Sequence, residues 1–398
     1  MALLWVCLSS LGCIGLLGRT SEPPKSLGTH PVGVTTLTVR DPSRDRELDV
    51  EVWYPAARRV MSEEPYVYRI EAGGITVARL RSVSGAQRNV AAWRDAGPLP
   101  VVLLSHGSGS TRFGNVGLSE VLASHGYIVA APDHAGHTME DHVLGIDNDE
   151  RYQSAYDRPL DLSRVLDELE RRSRKRKSWL RGLVDPTRVA VAGHSFGGTT
   201  ALAMVGAQFD GKRQAEECRH DDDDRRCHAL PLFGDKAYRY RDARVKAAVL
   251  IAPGGFDFYR ADGVARVDAP TLIVGARRDA SNPFGEYVRP VYNALTSPHY
   301  LLALEQAGHL TPTDVCEMVD SIGFLAKAFG GAESQDGCGA GYISPREALD
   351  RVTMATLPFL ALHLSGDGEA QRALEVALAP HKPRRRPVRA ARPSSHKG

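Results

Sequence analysis

An excess of one charge is what this sequence lacks most. Across 398 residues, 50 Lys and Arg face 48 Asp and Glu, leaving a formal net charge of +2. That balance gives no global pull toward nucleic acid. Basic residues concentrate only in the C-terminal stretch from His381.

Long apolar runs are missing too. The N-terminal "MALLWVCLSSLGCIGLLGRTSEPP" is apolar from Ala2 to about Leu17 and then turns polar. That is short for a bilayer-spanning helix and fits the apolar core of an export signal. No Lys or Arg precedes the apolar stretch, which such signals ordinarily carry. Ser10-Leu11-Gly12-Cys13 loosely resembles a lipoprotein cleavage box with its leucine one position late. Residues 1–20 are therefore expected to be a signal peptide and the chain secreted or periplasmic, with no stable membrane span. Lipid anchoring at Cys13, or an apolar anchor that is never cut, are the alternatives.

Cysteine is scarce, at six residues, two of which (Cys7 and Cys13) lie in the expected leader. The other four form two sequence-near pairs, Cys218 with Cys227 and Cys316 with Cys338. In an exported chain an even count of this kind predicts two disulfides, with buried free thiols as the alternative. No internal repeat is visible. With 42% hydrophobic residues the chain can bury a large core, and an α/β fold of this length can form one domain.

What is present is a rhythm of strands and helices. "GVTTLTVRD" and "ELDVEVWYPA" alternate apolar and polar residues around "PSRDR", which predicts a hairpin. A less regular segment follows to Gly97. "LPVVLLSHGSGS", "YIVAAPD", "RVAVAGH", "VKAAVLIAPG", "APTLIVGARRD" and "HYLLALEQAGH" are apolar runs of the kind buried on both faces of a parallel sheet. "LSEVLASHGY", "RPLDLSRVLDELERRSR" and "GGTTALAMVGAQ" have helical spacing between them. The pattern predicts an α/β class with a mostly parallel central sheet, helices on both faces and an N-terminal antiparallel hairpin. Residues 207–240, including "ECRHDDDDRRCHA", read as a polar loop tied by its cysteines. Asp221 to Asp224 in it are expected to be solvated rather than cation-binding. Residues 381–398 are Pro- and Arg-rich, which predicts a disordered tail.

"VAVAGHSFGGTT", residues 189–200, carries the chemistry. A strand runs into Gly193-His194-Ser195-Phe196-Gly197 and then a helix, the arrangement of a nucleophile elbow. Ser195 must sit on a sharp, strained turn that projects its hydroxyl over the sheet edge. Gly193 and Gly197 remove side chains that would clash across the turn, and Gly198 lets the helix pack closely. A serine needs a base. His309 in "LEQAGHLTPTD" follows the last predicted strand in a loop, whereas His299 begins that strand, His363 lies in a late helix, and His381 and His396 lie in the tail. For the orienting acid, Asp279 follows the strand in "APTLIVGARRDASNP", and Asp257 in "APGGFDFY" is its rival. Two N–H groups must meet the developing oxyanion. Phe196 N–H and, from the "SHGSGS" loop, Ser108 N–H are the candidates.

"LSHGSGS", "YIVAAPDHAG", "GHSFGG", "ARVKAAVLIAPG" and "AGH" together resemble the α/β-hydrolase superfamily, in particular its dienelactone-hydrolase-like esterases. The "GHSFGG" and "SHG" stretches are also similar to platelet-activating-factor acetylhydrolases and cutinase-like polyesterases. The resemblance spans about residues 30–365 and implies the order Ser, acid, His. One departure matters: dienelactone hydrolases typically carry a cysteine nucleophile where this chain has Ser195, so general carboxylic-ester hydrolysis is the expectation. A single hydrolase domain over 30–380 is expected, acting on a small-molecule or lipid ester without a cofactor. Peptidase or thioesterase activity on the same residues is an alternative, as is a non-catalytic binding protein on this scaffold. Asp133, His134, His137, Glu140, Asp141 and His142 are numerous enough for a metal site. Their place after a buried strand favours a cleft-lining role, and no metal is expected.

Overall fold

The alternating N-terminal segments form an antiparallel hairpin. Strands β1 (Val32–Asp41) and β2 (Arg46–Pro55) pair from Val32 opposite Pro55 to Asp41 opposite Arg46. The Asp41 carboxylate accepts the Ser43 N–H at 3.1 Å in the turn, and Asp45 there takes a φ of 50°, which a short polar side chain tolerates. The computed structural model describes residues 25–57, 66–95, 97–143, 150–219, 227, 237–322 and 336–380. The expected leader (1–20), Asp221 to Asp224 and the expected tail (381–398) lie outside the described residues.

The stretch before Gly97 is more regular than its sequence suggests. It holds a second hairpin, β3 (Val67–Ala72) and β4 (Ile75–Arg81), turned at Gly73 and Gly74. Both glycines have positive φ, 57° and 76°, as a tight hairpin turn demands. A two-residue β5 (Gln87–Arg88) then lies parallel to β1.

The remaining apolar runs become the parallel strands β6 (Leu99–Ser105), β7 (Ile128–Pro132), β8 (Val184–His194), β11 (Val245–Ile251), β12 (Thr271–Ala276) and β13 (His299–Leu304). One nine-stranded sheet runs in the order β13-β12-β11-β8-β6-β7-β2-β1-β5. All pairings from β13 to β7 are parallel, and β2 joins β7 antiparallel. Residues 207–240 are not simply a loop. They contain a small antiparallel pair, β9 (Gln208–Asp210) with β10 (Ala237–Arg239), and the helix Gly211–Cys218. Asp210 caps that helix by accepting the Arg213 N–H, a signal buried among charges in the sequence.

Both faces of the central strands are dry. Along β6, Val101 and Leu103 join one core while Val102 and Leu104 join the other, and β8 splits its valines and alanines the same way. The first core is closed by Leu162, Val165, Leu166 and Leu169 of the helix Glu150–Arg174, together with the helix Phe196–Met204. The second is closed by the helix Val116–Ser124 and by Val352, Phe359 and Leu360 of the helix Pro345–Ser365. Fully burying each such side chain contributes about 1.5–3 kcal/mol. A strand wet on neither side must be apolar throughout, which is why these runs are unbroken. Two disulfides, Cys218–Cys227 and Cys316–Cys338, join the expected pairs. Among the described residues, no helix is long and apolar enough to cross a membrane.

Candidate active site

The central strands end together, and their following loops gather at that edge. β8 runs straight into Ser195, whose backbone takes φ 53° and ψ −118°. This is a sparsely populated conformation for a residue with a Cβ. It is held by Ser195 N–H donating to Ile251 O at 2.9 Å, and by the Gly198 and Gly254 N–H groups donating to Ser195 O. The flanking glycines are required by contact. A Cβ on Gly193 would overlap the Gly197 carbonyl, and one on Gly197 would overlap the Ser105 carbonyl. On Gly198 it would press on the Pro253 side chain. Phe196 then opens a helix, so its N–H is among the first four that lack an intrahelical acceptor.

Asp279 follows β12 and His309 follows β13, so parallel neighbours deliver them side by side. Asp279 Oδ2 accepts a hydrogen bond from His309 Nδ1 at 2.8 Å, with the carboxylate fully buried and the ring nearly so. Asp279 Oδ1 accepts the Asn282 N–H at 2.6 Å. This pairing puts the ring proton on Nδ1 and leaves Nε2 with a lone pair. His194 ties the His309 loop to the Ser195 turn. Its Nε2–H donates to His309 O at 3.0 Å, and the two rings lie 4.8 Å apart. Burial, with His309 as the next cause, lowers the His194 pKa to about 3, so this ring is a neutral strut. Among the hydrogen bonds of the described residues, none links Ser195 Oγ to His309. Such bonds often tighten only when substrate is bound. Asp257, the rival acid, sits exposed in the first turn of the helix Phe256–Val264.

Ser108 lies on the loop after β6. A Cβ on its neighbour Gly107 would come 3.4 Å from Ser195 Cβ, so this loop borders Ser195. Ser108 Oγ is 2.8 Å from His137 Nε2. The acidic and histidine-rich segment after β7 spends its side chains on the fold. Asp133 pairs with Arg112, and His134 bonds Asp161 and Ser105 Oγ. Glu140 accepts the Gly73 N–H, and Asp141 accepts the Thr138 N–H.

Asp336 escaped the sequence reading. Its Oδ2 accepts the Ala280 N–H, the Ser281 N–H and the Ser281 hydroxyl, each at 2.9 Å. Its Oδ1 accepts the His309 N–H at 3.3 Å, and its carbonyl accepts the Leu310 N–H at 2.8 Å. One buried carboxylate thus clamps the Asp279 loop to the His309 loop, and Cys338, two residues on, is bridged to Cys316. The one signal that could have found it is the run Asp336-Gly337-Cys338-Gly339, glycines beside a cysteine that marks a fixed backbone.

A family model described as the alpha/beta hydrolase family matches residues 101–319, more than half of the chain. A second, for platelet-activating factor acetylhydrolase, isoform II, matches residues 18–177. Cutinase 1 of Thermobifida cellulosilytica is 25% identical over 213 residues, covering 53% of this chain and 60% of the cutinase. Cutinase of Thermobifida fusca (strain YX) is also 25% identical over 213 residues, covering 53% and 52%. The chain thus spans just over half the length of these curated relatives. Among solved structures, a ferulic acid esterase from Streptomyces cinnamoneus superposes with a TM-score of 0.57 at 27% identity. It covers 84% of this chain and 91% of its own.

Proposed function

The chain belongs to the alpha/beta hydrolase family, and from that premise we propose that it is a serine hydrolase of carboxylic esters. The observation that carries the reading is the strained Ser195 turn beside the Asp279–His309 hydrogen bond at 2.8 Å. Ser195 Oγ attacks the ester carbonyl while His309 Nε2 takes the hydroxyl proton, and Asp279 holds the imidazolium that forms. The tetrahedral oxyanion is met by the N–H groups of Phe196 and Ser108. Collapse expels the alcohol, which receives the proton from His309 and leaves an acyl ester on Ser195. Water then enters by the same route, with His309 again the base, and releases the acid.

The substrate class follows the relatives. A cutinase and a ferulic acid esterase are both named for carboxylic esters, so ester rather than amide cleavage is proposed. Residues 30–380 act as one catalytic domain. The two disulfides support an exported chain, with residues 1–20 as its leader and 381–398 as a basic tail.

The reading is tested with a panel of p-nitrophenyl esters of rising acyl length, a feruloyl ester and a polyester film. Turnover of p-nitrophenyl acetate with a nitrophenolate burst matching the enzyme concentration is expected. Absence of turnover on every ester would sink the proposal.

The Asp336 clamp gives a further expected result. Asp336→Ala strands a buried N–H on the His309 loop and two part-buried ones on the Asp279 loop, so stability should fall by about 1–3 kcal/mol. Loosening the acid and base loops should lower kcat about 10-fold or more, measured well below the melting temperature. Urea unfolding with kinetics at a fixed folded fraction checks both. A fully active, fully stable variant would show that the clamp is idle.

A further inference from the structure

Arg158 is wholly buried yet makes no ion pair among the described residues. The neighbouring carboxylate, Asp161, is taken by Arg44, Arg46 and His134. Arg158 instead spends its donors on the loops that follow β6 and β7. Nη1 donates to His106 O at 2.6 Å, and Nη2 reaches Gly107 O at 3.4 Å and His137 Nδ1 at 2.9 Å. The guanidinium carbon lies 4.9 Å from the Phe196 ring centroid, while Nε has no partner. A buried guanidinium that touches no carboxylate is costly. Burial lowers its pKa to about 9, with Asp161 acting the other way, so it stays charged at neutral pH. A cost of this kind calls for a return elsewhere in the molecule.

We infer that Arg158 is the positioning residue of the oxyanion hole, orienting both donors of Ser108 toward the carbonyl attacked by Ser195. This deepens the ester-hydrolase reading and rests on it.

Two lines of geometry carry the inference. The first runs through the backbone. Gly107 C=O and Ser108 N–H belong to one peptide, which is trans, as are the described peptide bonds generally, so they point in opposite directions. Gly107 O is drawn inward by His106 Nδ1 at 2.7 Å, Ser110 N–H at 3.3 Å and Arg158. His106 can donate there because its Nε2 accepts the His134 N–H. The Ser108 N–H therefore points away from Arg158, and the loop that carries it borders Ser195 at Gly107.

The second line runs through side chains. Arginine only donates, so His137 Nδ1 must accept from Arg158 and the ring proton must sit on Nε2. His137 Nε2–H then donates to Ser108 Oγ at 2.8 Å. With that lone pair engaged, the hydroxyl hydrogen of exposed Ser108 is left to donate into the cleft. His137 also stands edge-on to Phe196 at 5.0 Å, so the same pair steadies the residue bearing the elbow N–H. The positive charge of Arg158 thus lies behind both donor groups, where negative charge develops only during reaction.

The test compares Arg158→Met, Arg158→Lys and Ser108→Ala with the unmodified enzyme, each scaled to active sites titrated by nitrophenolate burst. Arg158→Met should lower kcat about 100-fold with KM within about twofold, the size of losing an oxyanion donor. Affinity for a boronic acid, which forms a tetrahedral adduct on serine, should fall in parallel with kcat. Arg158→Lys keeps the charge and loses the fork, so an intermediate loss is expected. Ser108→Ala removes the hydroxyl donor together with the acceptor of His137 Nε2–H and should cost about 10-fold in kcat, even if Arg158→Met does not fold. The inference is overturned if kcat per titrated site is unchanged in Arg158→Lys and Ser108→Ala, or if the losses fall in KM. Failure of the unmodified enzyme on every ester would instead remove the parent reading.

Discussion

Ser195→Ala should lose on the order of 10⁵- to 10⁶-fold in kcat on p-nitrophenyl acetate while remaining folded. Removing the nucleophile of such a triad leaves only what substrate binding and the oxyanion donors supply, roughly 10³- to 10⁴-fold over water. The fold should tolerate the change because the elbow is held by backbone groups. The Ser195 N–H donates to Ile251 O, and Ser195 O accepts from Gly198 and Gly254, and all of these survive in alanine. The φ of 53° is no worse for Ala than for Ser, so stability should change by less than about 1 kcal/mol. A fluorophosphonate probe should label the unmodified protein on the peptide carrying Ser195 and leave the variant unlabelled. A variant that kept a tenth of its turnover would mean that another residue is the nucleophile.

How much of this site could be read in the sequence depended on how local its causes are. The Ser195 turn was legible because the residues that form it lie within six positions, even though the Ser105 carbonyl and Pro253 press on two of its glycines from afar. A buried strand must end, the chain must reverse, and each glycine is required by a carbonyl or side chain that packs on it. Asp279 and His309 were reachable by a longer argument, since parallel strands β12 and β13 put their following loops at one edge. Asp336 and Arg158 leave no such trace. Asp336 meets its partners only after the chain has travelled from Asp279 through β13 and the helix Val315–Ile322. Arg158 lies in a helix whose sequence is rich in arginine and acid, where one more charge marks nothing. The β3–β4 hairpin was overlooked for a third reason. Its charged and apolar residues are mixed, and only Gly73-Gly74 announces the turn.

Asp279→Asn should cost about 10⁴-fold in turnover at neutral pH, whereas Asp257→Asn should leave it near normal. The structure gives the reason atom by atom. Asp279 Oδ1 accepts the Asn282 N–H at 2.6 Å and Oδ2 accepts His309 Nδ1–H at 2.8 Å. An asparagine has one oxygen and one NH₂ for these two donors. Keeping its oxygen on the Asn282 N–H turns its NH₂ toward His309, so Nδ1 must become the acceptor. The ring proton then moves to Nε2, the atom that has to take the proton of Ser195, and the base is lost without the fold being disturbed. The expected 10⁴ is the size of such a tautomer error in a triad of this kind. If instead the amide flips, it leaves a part-buried backbone N–H facing its NH₂, which costs about 1 kcal/mol, and stability falls with partial activity retained. Asp257 stands in the exposed first turn of its helix. Neutralising it there removes a favourable interaction with the helix N-terminus of about 0.3–1 kcal/mol and nothing from the base. Parallel kinetics and urea unfolding on the two variants separate these cases. A large loss in Asp257→Asn beside a nearly normal Asp279→Asn would transfer the acid's role to Asp257 and remove the observed Asp279–His309 hydrogen bond from the reaction.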